Sequence, residues 1–304
     1  MKYNEWLDEW LALYVKPSAK EQTCDKYFAQ VKNHIAPKLG DNDMDELTAV
    51  VLQKFVVDLI DNGLAANTVN GIISVIKCSL KRAAALGITN VQGMDAIVRP
   101  KVNEKQVECF TIGEQRKIEN YISASKKGKL FGIVLCLYTG LRIGELLALT
   151  WKDVDFANGI LLISKSCHDC WNNGKYKKIT ETPKTKNSKR YIPLPKVLLA
   201  KLKALYKQSD STYVICGKNK EFGIQVRSYQ KTFEKVLEKL GIAHKGFHAL
   251  RHTFATRALE VGMDVKTLSE IMGHGNPTIT LKRYAHSLLE HKTEMMNRLG
   301  RLML

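Results

Sequence analysis

The stretch GFHALRHTFATRAL, residues 246–259, threads His248, Arg251, His252 and Arg257 among apolar residues at helical spacing (Ala249, Leu250, Phe254, Ala255, Ala258, Leu259). Burying a charge without a partner is costly, so something outside the helix must meet these groups. His248 and Arg251 are three apart and share a helix face, as a phosphate clamp would, whereas His252 and Arg257 read as structural. The four-residue spacing of His248 and His252 also matches a zinc-protease helix. Ala249 stands where that motif needs its glutamate, and Arg251 would project a cation towards the metal, so the zinc reading is rejected.

Three further stretches carry chemistry. In TGLRIGELLALTW, Arg142 and Glu145 lie one helical turn apart if Ile143 is already helical. The leucines around them leave little solvated surface for a plain ion pair, and an arginine so placed suits a planar anion such as phosphate. In MGHGNPTITLKRYAH, His274 sits between glycines in a turn, and Pro277 opens a helix that brings Tyr284 about two turns in. Taken alone, Tyr284 reads as a core tyrosine of an amphipathic helix. In KYKKITETPKTKNSKRYIPLP, seven of residues 175–190 are basic against Glu181 alone, which describes a solvated hairpin or one that projects a lysine, Lys184 or Lys186, into DNA.

Together these types fit metal-free attack on a DNA phosphodiester. Arginines grip the non-bridging oxygens as charge builds up. A lysine on a hairpin protonates the leaving 5′-oxygen. Histidines accept the tyrosine proton or bond a phosphate oxygen. A phenol titrates near 10 when unperturbed, so a tyrosine nucleophile needs such neighbours.

The elements that must position these groups divide along the chain. Residues 1–95 read as four or five helices. Ser18 is expected to cap the second, which stops near Pro37 and Gly40; Thr48 and Gly63 bracket the next, and Asn67 to Gly87 another. Residues 96–108 form a polar, Pro-containing linker, and a second domain spans 109–304, opening with Thr111 and Glu114 as a capping box. An apolar helical stretch interrupted at Gly140 leads into short β-rich segments, a small antiparallel sheet, before helices resume near Pro195. The fold class is mainly α with a small antiparallel sheet.

The net charge of +17 is unevenly spread: residues 1–100 hold 11 Lys/Arg against 12 Asp/Glu, and residues 101–304 hold 36 against 18. A polyanionic partner, most simply nucleic acid, explains that bias. No apolar run would span a bilayer and the N-terminus lacks a signal-peptide pattern, so a cytoplasmic location is expected. Seven cysteines without framework spacing read as free thiols. CHDCW (Cys167, His168, Cys170) lacks the second ligand pair that tetrahedral zinc wants, and reads as a loop.

The ordered set Arg142, a lysine in TPKTKNSKRYIPL, His248 and Arg251 in HALRH, His274 in MGHGNPTIT and Tyr284 in RYAH resembles the tyrosine recombinases of the phage-integrase family. Glu145 matches the acidic residue that the family places three after its first arginine. The PKT start favours Lys184 over Lys186 as general acid. The resemblance implies that Tyr284 becomes joined to a DNA 3′-phosphate, freeing a 5′-hydroxyl, with neither ATP nor metal required. It also implies a SAM-like helical domain that binds the core site, an α+β catalytic domain, a C-shaped clamp around the duplex and a homotetramer on two sites. The tail LLEHKTEMMNRLGRLML, with Leu288, Met295, Met296, Leu299 and Leu302, is expected to dock on a neighbouring protomer. The chain begins directly with the helical bundle, which points to a simpler recombinase or to an element whose ends need no arm contacts. Integration or excision of a mobile element, chromosome-dimer resolution and inversion all fit this chemistry, with or without an accessory excision or host architectural protein. A type IB topoisomerase and a non-catalytic DNA-binding protein are the competing classes.

Overall fold

The computed structural model describes residues 1–102, 107–125, 127–172, 175–181, 189–217, 223–276, 278, 296, 297 and 299–301. The chain divides into two compact units, Met1–Lys105 and Gln106–Leu304.

The first unit is helical. α1 (Tyr3–Trp10) runs through a π turn at Leu11–Val15 into α2 (Lys16–Ser18); α3 (Glu21–Gln30) runs through a second π turn at Val31–Ile35 into α4 (Ala36–Leu39). Each widened turn directly precedes a proline-bearing turn, and the Lys16 and Ala36 amides reach back to the Leu11 and Val31 carbonyls. Pro17 and Pro37 have no N–H to give, and their rings crowd the carbonyl one turn earlier. A π turn just before the ring opens the helix at that place. Ser18 ends α2 instead of capping the next helix; Lys20, whose side chain makes no capping bond, stands at the start of α3. α5 (Ala49–Asp61) begins at Thr48, whose hydroxyl accepts the Val51 amide, and α6 (Ala66–Ala85) follows. Trp6, Tyr3, Leu7, Ile35, Leu52 and Ile72 fill the core. Ile97 packs on that core, and Val98 and Arg99 bond Gln53, Asn70 and Ser74, so part of the stretch read as linker lies against the first unit.

The second unit opens with α7 (Ile112–Ser123), where Thr111 and Glu114 exchange both bonds of the capping box. α8 (Phe131–Thr139) is apolar on all sides and buried on nearly all of them, as a central helix must be. Gly140, at φ +63°, ends it, and α9 (Ile143–Ala148) starts three residues later. The strands β1 (Val154–Asp155), β2 (Ile160–Ile163) and β5 (Arg190–Pro193) form one antiparallel sheet in the order β1-β2-β5. The strands β3 (Ser166–Asn172) and β4 (Lys175–Glu181) form a separate hairpin. The segment CHDC is therefore strand and not loop: Cys167 and Cys170 are buried, and Cys167 faces Thr180 across the ladder. α10 (Lys196–Lys207), α11 (Val226–Lys239), α12 (His248–Glu260) and α13 (Val265–Met272) complete the unit. α12 lies on α8, α9 on β3, and α13 on both α12 and β5. Among the described residues no helix is long and apolar enough to cross a membrane.

Candidate active site

The site is built where α9, β5 and the end of α13 meet. Arg142 is the N-cap of α9, and Glu145 stands at its third position, so the carboxylate folds back to the helix start. Its Oε2 accepts the Arg142 amide at 2.9 Å and its Oε1 accepts Arg142 Nη1 at 2.8 Å. From the opposite side Arg190, the first residue of β5, donates Nη1 to Oε1 at 3.0 Å and Nη2 to Oε2 at 2.9 Å. Two guanidinium groups thus share one carboxylate. Burial alone would raise the Glu145 carboxyl; the hydrogen bonds and charge of Arg190, then the charge and amide of Arg142, outweigh it and hold it at about 2. The arginines differ in access: the Arg142 side chain keeps 38% of its surface and that of Arg190 keeps 6%.

Arg251 is 1% exposed. It donates Nη1 to the Gly140 carbonyl at 2.6 Å, and Nη2 to the Met272 carbonyl at 2.7 Å and to His274 Nε2 at 2.9 Å. The charge threaded through the apolar helix is thus met by two carbonyls and an imidazole. A guanidinium only donates, so His274 Nε2 must accept, and the imidazole proton lies on Nδ1. His274 is held at the end of α13, its amide bonded to the Ser269 carbonyl, after Gly273 turns the chain at φ +64°. Arg142 Nη2 approaches the Gly273 carbonyl at 3.4 Å, so the two arginines reach consecutive carbonyls of one turn.

The structure therefore gathers Arg142, Glu145, Arg251 and His274. His248, the first residue of α12, is exposed, its ring edge-on to His252 with centroids 4.5 Å apart. Arg257 bonds the Phe110 carbonyl at 3.0 Å and Glu260, the structural use expected of it. Lys184, Lys186 and Tyr284 lie outside the described residues. Two of the basic residues around the hairpin turn inward. Lys178 bonds the Leu147 carbonyl at 2.7 Å and lies over the Tyr213 ring, and burial lowers its ammonium. The other, Arg190, was not among the expected site residues. Its signal was the alternation of KRYIPLP, which puts Arg190 on the same inward face as Ile192. Asp169 of the CHDC segment accepts the Val226 and Arg227 amides and so caps α11. Among the described residues no three His, Cys, Asp or Glu side chains gather to hold a metal ion.

This arrangement offers one half-exposed guanidinium, a buried second one and an oriented imidazole, all fixed by backbone carbonyls and a single carboxylate. Such a group is suited to holding a tetrahedral oxyanion. The comparisons agree with that class. Residues 113–291 match the phage integrase family and residues 2–60 its N-terminal SAM-like domain, so the chain belongs to the phage integrase family and is an enzyme of the tyrosine-recombinase type. A tyrosine recombinase XerC-like protein of Caldanaerobacter subterraneus subsp. tengcongensis is 30% identical, over 98% of this chain and 83% of its own. The transposase of transposon Tn916 from Enterococcus faecalis is 26% identical, over 95% of this chain and 76% of its own. In fold the chain resembles the Tn1549 transposon integrase in complex with transposon right-end DNA (TM-score 0.81, 23% identity, 99% of this chain and 100% of that one). It also resembles a lambda integrase dimer bound to a core site (TM-score 0.73, 20% identity, 93% and 95%).

Proposed function

We propose that this enzyme integrates and excises a mobile element by cutting and rejoining DNA strands through a 3′-phosphotyrosine at Tyr284. The observation that carries the reading is the meeting of Arg142 and Arg251 at the turn that ends in His274. In this reading the Tyr284 phenolate oxygen bonds to phosphorus as the bond to the 5′-oxygen breaks. His248, exposed at the head of α12, takes the phenol proton. Lys184, or Lys186 in its place, protonates the departing 5′-oxygen. Arg142, Arg251 and the His274 Nδ1–H hold the phosphate oxygens. The 5′-hydroxyl of a partner strand then reverses the step, and the phosphotyrosine conserves the bond energy throughout.

Double-stranded DNA is the proposed partner, with four protomers assembling on two sites; the lambda integrase seen as a tetramer bound to a Holliday junction supports the count of four. Met296 and Leu299 in the tail are exposed, which supports docking of the tail on a neighbouring protomer. The relatives named as transposon and phage recombinases favour an integrating element over chromosome-dimer resolution or inversion. The test is covalent capture: wild-type and Tyr284→Phe protein are incubated with fragmented source-genome DNA, denatured, and the DNA still attached to protein is sequenced. Adducts are expected in the wild type only, converging on one short inverted-repeat site. Adducts scattered without sequence preference would contradict the reading and favour a topoisomerase.

A further inference from the structure

Arg190 has no part in the reaction as described, yet it makes two hydrogen bonds to the carboxylate that holds Arg142. We propose that Arg190 is a positioning residue: by clamping the Glu145 carboxylate it sets the working orientation of Arg142. The inference rests on the reading of Arg142 as a phosphate ligand.

Its donors are engaged within the protein. Both Nη atoms face Glu145, Nε donates to the Ile271 carbonyl at 2.5 Å, and the side chain is 6% exposed. It acts through Glu145. That carboxylate divides its lone pairs between the two arginines: Oε1 takes one Nη from each, and Oε2 takes the Arg142 amide and Arg190 Nη2. Arg142 is thereby held by a single guanidinium contact to the carboxylate and keeps an open side. Without Arg190, a buried carboxylate would be short of donors and of one positive charge. It would then either draw Arg142 into a bidentate pair or take up a proton, and both outcomes turn Arg142 from its position.

The same guanidinium ties together three segments. Arg190 opens β5 opposite Ile163. Gly273 closes on it from α13: a Cβ there would stand 2.9 Å from Arg190 Nη1. The first residue of β5, Arg142 and the turn bearing His274 are thus referred to one buried group. Among the described residues, the other titratable and charged groups around Glu145 are Arg142 at the start of its own helix, Cys136 on α8, Arg251 on α12 and His274 in the turn after α13. Burial, reinforced by the Glu145 charge, pushes the Cys136 thiol up, so it stays neutral.

The test uses the full chain and a nicked duplex carrying the sequence recovered by covalent capture. Single-turnover cleavage per folded molecule is measured between about pH 8 and 5, beside non-covalent binding of the same DNA. Arg190→Gln is expected to cleave about tenfold more slowly at the upper end, with binding within about threefold of wild type. The rate should drop further as pH falls, because Glu145, deprived of one cation, now takes up a proton in this range. Arg190→Lys, which keeps the charge but not the fork, should recover part of the rate. It carries the test should Arg190→Gln not fold, with a loss of about threefold or more and a weaker acid limb. Adding Glu145→Gln to either variant should remove the new acid limb, which separates it from any titration of His274. Cleavage by both variants within about twofold of wild type across the range would overturn the proposal, as would a loss fully matched by weaker binding with the wild-type pH profile. Wild-type adducts that persist in Tyr284→Phe would overturn the nucleophile assignment and leave the Arg190 comparison intact, since it follows whichever adduct forms.

Discussion

Among the described residues of Met1–Lys105, the polar side chains that leave solvent are neutral: Gln30, Ser79 and Thr89. In Gln106–Leu304 they include Glu145, Asp153, Arg190 and Arg251. The first unit buries tryptophan and leucine around a serine, with Ser79 Oγ against the Tyr3 hydroxyl at 2.7 Å and its carbonyl accepting from Trp6. The second takes on the desolvation of four charged groups and offsets it with partners for each: Lys165 for Asp153, two arginines for Glu145, Glu145 and a carbonyl for Arg190, carbonyls for Arg251. A fold needs no such groups for stability, since well-packed apolar residues do as well or better. Three of them, Glu145, Arg190 and Arg251, lie around the end of α13, where the proposed function puts the DNA phosphate.

That contrast can be broken from either side. Trp6, fully buried in the first unit, should cost about 3–5 kcal/mol of stability when changed to alanine, read as a lower urea midpoint. The pH profile of cleavage by the remaining folded protein should be unchanged. Arg251→Ala should raise the cleavage barrier by about 3–4 kcal/mol, a hundredfold or more in rate per folded molecule. A near-normal rate would remove Arg251 from the phosphate site.

A smaller effect is the response to acid. The Glu145 carboxyl titrates lower in the folded chain than its ordinary 4.5, so its contribution is fully present above that value and drains away as pH falls towards about 2. Glu145→Gln should lack that part of the acid sensitivity, measured by thermal melts across the range. Smallest, Thr48→Ala in the first unit should cost about 1 kcal/mol through loss of the cap on the Val51 amide, with no change in acid response.

The same contrast explains what could be read from the sequence. Local patterns were legible: the caps at Thr48 and Thr111, the break at Gly140, Arg142 and Glu145 one turn apart, and His274 between glycines at a helix end. Groups whose state depends on a distant partner were not. Arg190 and Lys178 look like solvated charge in a lysine-rich run, yet distant partners, among them Glu145, 45 residues away, and the Leu147 carbonyl, 31 away, turn them inward. Cys167, His168, Asp169 and Cys170 show no apolar alternation, so nothing local marked β3; its pairing with β4 and the capping of α11 by Asp169 decide it. Ser18 looked like a helix start because capping chemistry does not reveal which of two abutting helices a serine belongs to.

The most direct measurement is to map the covalent link itself. Wild-type protein is trapped on a nicked duplex carrying the captured site, digested with nuclease and protease, and the modified peptide is sequenced by mass spectrometry. The account predicts a nucleotide joined through its 3′-phosphate to Tyr284. A nucleotide on any other side chain, or one joined through its 5′-phosphate, would contradict it.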